Sequence, residues 1–226
     1  MSFYDIFQDS KLIVFDLDGT LIDTPSWIVH YANEAREELG FRRRKMNELI
    51  ALVGNPPEEF WSDIDDLRQE DSERLKWLFR EKMNHHLFTE KSLYPAVQDT
   101  LRLLREKGKD MAIATNKPVP NAQLLLEKCG ILSFFRGIVG GDICAAKPDP
   151  AMLIELSKRF EIANSDIVMI GDRVTDVKCA KNSGAFAVGL MQSIDSKENM
   201  VSAGADFIFN SMNELYNLLE NHENQI

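Results

Sequence analysis

Cysteine, basic charge and long apolar runs are all scarce in this 226-residue chain, and each shortage closes off a class of protein. The three cysteines, Cys129, Cys144 and Cys179, are odd in number and widely spaced, which fits neither a disulfide framework nor a zinc site. A reducing cytoplasm is the expected compartment. Only 26 Lys and Arg stand against 36 Asp and Glu, a formal net charge of −10. That balance speaks against nucleic acid or an anionic membrane as a partner. No apolar stretch approaches the roughly 18 residues needed to span a bilayer. Met1 to Ser10 holds two Asp and no Lys or Arg, unlike the basic start of a secretory leader. With 44% hydrophobic and 27% charged residues, what remains is an ordinary soluble globular composition. The length allows one large core, or a core carrying a smaller insert.

The apolar residues that are present fall into short runs. Leu12 to Phe15 is β-branched and aromatic and stops at Asp16-Leu17-Asp18-Gly19, as a buried strand running into a turn would. Comparable runs are Met111 to Ala114, ending at Thr115-Asn116; Gly137 to Val139; Ile167 to Ile170, ending at Gly171-Asp172; Ala185 to Leu190; and Phe207 to Phe209. Between them Val97, Leu101 and Leu104, then Leu124, Leu125 and Cys129, then Leu153, Leu156 and Phe160 recur at helical spacing. Strand alternating with helix predicts an α/β fold, a Rossmann-like parallel sheet with helices on both faces. In such sheets ligands sit beyond the carboxyl ends of the strands, where the strand order reverses.

One stretch breaks the alternation. From about Leu21 to Ser92 there is no convincing strand, and Trp27, Trp61 and Trp77 all lie there. Ile28, Tyr31, Ala35 and Leu39 share a helical face, and Leu75, Leu78, Met83 and Leu87 point to another helix. An all-helical cap at 21–92, inserted into a core of 1–20 and 93–226, is the expected organisation, since a loop of that length would be exceptional. The tryptophans are expected to form the cap's small core. His85-His86 reads as solvated, because adjacent helical residues do not face one point. Arg42-Arg43-Arg44-Lys45 reads as a solvated face, with attraction of a substrate anion as the alternative.

The polar residues that end the strands carry the chemical interest. Asp16 and Asp18 are two apart and point the same way if the extended conformation persists. Carboxylates that close need a cation or a shared proton, although Asp and Gly also end strands as a simple turn. Asp172 and Asp176 follow the fourth run. Helix capping explains one of them but gives no reason for two. Acidic groups from two strand ends favour a hard, oxygen-loving cation, magnesium rather than zinc. Thr115, Asn116 and Lys147 are each unremarkable alone, yet they too end successive core segments. The negative net charge would repel a phosphate ester from afar. Salt screens that field within roughly 8 Å, so the local charge decides.

Asp16-Leu17-Asp18-Gly19-Thr20, Thr115-Asn116-Lys117, Lys147-Pro148-Asp149-Pro150 and Gly171-Asp172 with Asp176 resemble the four ordered motifs of the haloacid dehalogenase-like superfamily. The phosphoglycolate phosphatase-like group is the most similar, and the resemblance covers nearly the whole chain. It implies that Asp16 is the nucleophile and forms an aspartyl-phosphate, and that Asp18 is the general acid and base. It also implies Mg2+ on Asp16, the Asp18 carbonyl, Asp172 and Asp176, with Thr115, Asn116 and Lys147 holding the phosphoryl group. The aspartate at position 18 points to phosphoryl transfer, since dehalogenases of the superfamily lack it. The expected substrate is a small phosphorylated metabolite, 2-phosphoglycolate first, for a monomer or homodimer. Alternatives are a sugar phosphomutase, a phosphonate-cleaving enzyme using Lys45, Lys76 or Lys82, and a non-catalytic relative that binds metal and phosphate. Two departures stand out: Ala96 where the group shows Gly after Tyr94-Pro95, and Arg173 where a small residue is usual.

Overall fold

Six short runs pair into one sheet: β1 (Leu12–Phe15), β2 (Asp110–Thr115), β3 (Gly137–Gly140), β4 (Ile167–Gly171), β5 (Phe186–Leu190) and β6 (Phe207–Phe209). The computed structural model describes residues 2–50, 68–85, 88–89, 92–192 and 195–221. Every pairing is parallel, and the order across the sheet is β3-β2-β1-β4-β5-β6. The order reverses at β1, flanked by β2 on one side and β4 on the other. Phe15 stands level with Ile113 and with Ile170, so three strands end together there. The expected parallel α/β sheet is borne out.

All four residues of β1 are buried, because each face of the sheet is covered. Ile13 and Phe15 pack on one side with Leu101 and Leu104 of α5 (Val97–Glu106), Leu125 and Leu126 of α6 (Val119–Lys128), and Leu215 of α10 (Met212–Asn221). Leu12 and Val14 pack on the other with Leu153 and Leu156 of α7 (Ala151–Phe160) and Val177 and Ala180 of α8 (Val174–Ser183). Burying a large side chain of this kind is worth about 2–3 kcal/mol, so the floor beneath the strand ends is rigid. The stripe on α6 differs from expectation. Leu124 is 52% exposed, and the buried set is Ala122, Leu125, Leu126 and Cys129. Those four follow helical spacing, and Leu124 falls off their line.

The chain divides into two compact units, Met1–Ile22 with Phe88–Ile226, and Asp23–Leu87. In the second, α2 (Thr24–Glu38) is started by Asp23, whose carboxylate accepts the Ser26 N–H at 3.3 Å, with Pro25 in the first turn. Val29, Ala32 and Ala35 of α2, Leu49 of α3 (Met46–Ile50), and Leu75 and Leu78 of α4 (Gln69–His85) form its core. The two described tryptophans do not. Trp77 is 65% exposed, and Trp27 is half-buried beside His30 and Tyr31. Trp77 follows Leu75 by two positions, which on a helix turns it to the opposite side. Alanine on α2 instead leaves room for helices to approach closely. Trp61, His86 and Leu87 lie outside the described residues.

Candidate active site

Asp16 follows β1, and its N–H donates to the Ile170 carbonyl at 2.9 Å. The β1–β4 ladder thus runs one residue past the strand and fixes where this carboxylate starts. The chain then folds back on itself. Gly19 N–H donates to the Ile22 carbonyl at 2.9 Å, and Leu21 and Ile22 both donate to the Leu17 carbonyl at 3.1 Å. Gly19 sits at φ +87, in the left-handed region, and a Cβ there would lie 2.4 Å from Asp172 Oδ2. Only glycine meets both demands. Thr20 completes the join by donating its hydroxyl to Asp172 Oδ1 at 2.7 Å.

Asp176 answers both readings made from the sequence. Its Oδ2 accepts the Arg173 N–H at 2.9 Å at the start of α8, and its Oδ1 lies 2.6 Å from the Lys147 ammonium. One carboxylate therefore caps a helix and belongs to the site. A Cβ at Gly171 would fall 2.3 Å from Asp176 Oδ2, so the bare backbone there is what lets the helix start approach. Arg173 contacts Asp195 at 3.2 Å, and the same Asp195 oxygen accepts the Val174 N–H at 2.8 Å.

Lys147 is the one cation at the centre among the described residues. Its side chain is 3% exposed, and its ammonium reaches Asp16 Oδ1 at 2.6 Å, Asp176 Oδ1 at 2.6 Å and the Ala114 carbonyl at 2.9 Å. An ammonium has three protons to donate, and each has an acceptor here. Its backbone N–H donates to Asn116 Oδ1 at 2.9 Å, so Asn116 steadies the lysine loop. Thr115 is buried, and its hydroxyl oxygen accepts the Lys117 N–H at 3.2 Å. Asp18 pairs through Oδ2 with Lys117 at 3.2 Å. Its other oxygen, Oδ1, is buried without a hydrogen-bond partner among the described residues, a state that ordinarily costs about 1–3 kcal/mol and calls for an explanation.

The charges do not balance within the protein. Asp16, Asp172 and Asp176 present oxygens that all lie within 4.8 Å of one another, with a single lysine against three carboxylates. Burial foremost, then Asp176 and Asp172, pushes the Asp16 carboxyl up to about 8, while Lys147 opposes the shift. Burial pulls Lys147 down, but Asp16 and Asp176 outweigh it and hold its ammonium above the ordinary range. An all-oxygen donor set with surplus negative charge suits a hard dication, so the residues fit a metal of that kind.

The structure brings together Asp16, Asp172, Asp176 and Lys147, with Asn116 against the Lys147 backbone. Asp18 and Thr115 meet Lys117 just beside them. Sequence reasoning did not single out Thr20, Gln192 or Asp195. Gln192 donates to the Thr20 carbonyl at 3.0 Å and accepts the Met212 N–H at 2.7 Å, tying the loop after β1 to α10. The rule used for the other strand ends would have found it, since it lies two residues past β5.

A doubly wound parallel sheet with an acidic, metal-competent cluster at its switch point defines a class of α/β enzymes. Within that class the chain belongs to the haloacid dehalogenase-like hydrolase family, whose model matches residues 13–190, as the motifs led us to expect. It is similar to the phosphoglycolate phosphatase of Vibrio parahaemolyticus, 33% identical over 221 residues that cover 92% of this chain and 95% of the relative. The phosphoglycolate phosphatase of Vibrio cholerae is 30% identical, covering 91% and 95%. Among solved structures, a protein of Haemophilus somnus 129pt described as a predicted phosphoglycolate phosphatase superposes with a TM-score of 0.80. It is 25% identical and covers 95% of this chain and 98% of that one.

Proposed function

We propose that this chain is a magnesium-dependent phosphatase that hydrolyses a small phosphate monoester, 2-phosphoglycolate first, through an aspartyl-phosphate on Asp16. The observation that carries the reading is the buried Asp16 carboxylate at the strand end, held at 2.6 Å by Lys147 and flanked by Asp172 and Asp176. The family and the activity named for its relatives support it. The Asp16 carboxylate would attack phosphorus as the bond to the ester oxygen breaks, and Asp18 would give that oxygen its proton. Asp18 would then take a proton from the water that attacks the phosphoryl group, releasing phosphate and restoring Asp16. Lys147 aims Asp16, and by exchanging one of its protein acceptors it would hold a phosphoryl oxygen, with Thr115 and Asn116 alongside. Asp16, Asp172 and the Asp18 carbonyl, supported by Asp176, would hold Mg2+, whose charge when bound offsets that of the phosphoryl oxygens. The helical unit would act as the cap that chooses the ester.

Phosphate release from a panel of small esters, nucleotides and pyrophosphate, with magnesium and with chelator, tests the reading alongside Asp16→Asn. Release that needs magnesium, favours one small ester and disappears in the variant is the expected result. Asp16→Asn working at the wild-type rate would sink the assignment.

A further inference from the structure

The site holds a second lysine that the catalytic scheme leaves unused. Lys117 lies two residues beyond β2, and its backbone is tightly held. A Cβ on Gly140 would lie 2.5 Å from the Lys117 carbonyl, and Gly141 N–H donates to that carbonyl at 3.3 Å. The Lys117 side chain is 26% exposed, and its ammonium meets Asp18 Oδ2 at 3.2 Å. Unlike Lys147, whose three protons are all accepted by the protein, Lys117 has this single ion pair among the described residues and two further protons to give. Arg173 is engaged with Asp195.

We infer that Lys117 selects esters whose leaving alcohol carries its own anionic group, a carboxylate close to the ester oxygen. This rests on the phosphatase reading, in which Asp18 serves the leaving oxygen. The two oxygens of Asp18 divide the work. Oδ1, without a hydrogen-bond partner among the described residues, would serve the ester oxygen, while Oδ2 anchors the ammonium. The Lys117 charge then lies within roughly 8 Å of the ester oxygen, a path made of the 3.2 Å pair, roughly 2 Å between the two Asp18 oxygens and a hydrogen bond of roughly 3 Å. A carboxylate one carbon beyond the ester carbon closes that gap. A neutral alcohol of equal length leaves the spare protons unmatched. In a chain of net charge −10, a cation at this spot also counters the repulsion that an acidic ester would meet.

The test compares 2-phosphoglycolate with 2-hydroxyethyl phosphate, which is similar in length but has a neutral leaving group. The holoenzyme is assayed with magnesium as wild type, Lys117→Met and Lys117→Arg. Wild type should prefer the acidic ester. Lys117→Met should lower its kcat/KM by about 100-fold, the size expected for losing a charge-assisted hydrogen bond, chiefly through KM. The loss on the neutral ester should be at least tenfold smaller, and Lys117→Arg should recover most of the difference. Equal losses on both esters would mean that Lys117 only steadies Asp18, and the inference falls. A wild type indifferent to the carboxylate also overturns it while leaving the phosphatase reading intact. No phosphate release from either ester would instead strike at the phosphatase reading itself.

Discussion

Replacing Lys147 with methionine keeps most of the buried stem and removes the ammonium. Three accepted N–H bonds go, two of them to the carboxylates of Asp16 and Asp176. Breaking a buried pair from one side costs about 3–5 kcal/mol, because the partner's charge is left uncompensated. The cost should depend on pH. Folded Asp16 keeps its proton up to about 8, whereas an unfolded aspartate releases it near 4. Between those values the folded state binds more protons, so stability falls as pH rises. Lys147 opposes the upward shift, and without it the fall keeps its one-proton slope and continues to higher pH. Lys147→Met should therefore lose about 3 kcal/mol at pH 5 in chelator and about 1 kcal/mol more at pH 9, a unit above the point where wild-type Asp16 gives up its proton. Magnesium should recover more stability in the variant than in wild type. Urea unfolding followed by far-ultraviolet circular dichroism is the suitable assay. Trp27, Trp61 and Trp77 all fall within Asp23–Leu87, so fluorescence would follow the helical unit instead. A deficit equal at both pH values, or below about 1 kcal/mol, would refute the argument that Lys147 compensates buried carboxylates.

Ala96 sits at φ 64 with no side-chain cap bond at the start of α5. An L side chain there costs about 1–2 kcal/mol, and the freedom glycine adds to the unfolded chain takes back about 0.4–1. Ala96→Gly should thus stabilise the protein by about 1 kcal/mol and raise Tm by about 2–4 °C; a lower Tm would contradict the strain. Cys129 and Cys179 are 0% exposed, and burial pushes their thiols up to about 11 and about 12. A maleimide should label only the half-buried Cys144 in the native protein and all three after unfolding, as counted by intact mass.

The sheet was legible because each strand is buried on both faces, so its sequence is a short apolar block that ends abruptly at a polar residue. Phe15 to Asp16 and Ile170 to Gly171 are such endings. Register, which places Asp16 beside Ile170 and Ala114, comes from pairings across the chain that no local pattern encodes. Asp176 shows why local signals mislead in both directions. Its helix-capping reading and its site reading are both satisfied, one by each oxygen. Lys117 was part of a quoted motif yet had no role assigned, because only its spatial meeting with Asp18 makes it noteworthy. The core of the helical unit was misread for a different reason. Bulk drew attention to Trp77, whereas Ala32 and Ala35 let two helices come close enough to bury Leu75 and Leu78.

The same structure bears on the phosphonate-cleaving alternative, which needs a cap lysine that is neutral enough to form a Schiff base. Such lysines are driven down in pKa by burial or by a neighbouring cation. Lys82 is held the opposite way. Its hydrogen bond to Glu38 raises it, and its ammonium lies 2.9 Å from Glu38 and 3.7 Å from Glu34. Lys76 lies 2.9 Å from Glu73, and Lys45 is exposed. The carboxylates around Lys82 favour the protonated amine, the form that cannot attack a carbonyl. Trapping with borohydride and an aldehyde product of phosphonate cleavage should accordingly leave Lys45, Lys76 and Lys82 unmodified by peptide mass. Reduction onto any of the three would restore the alternative and remove the electrostatic argument against it.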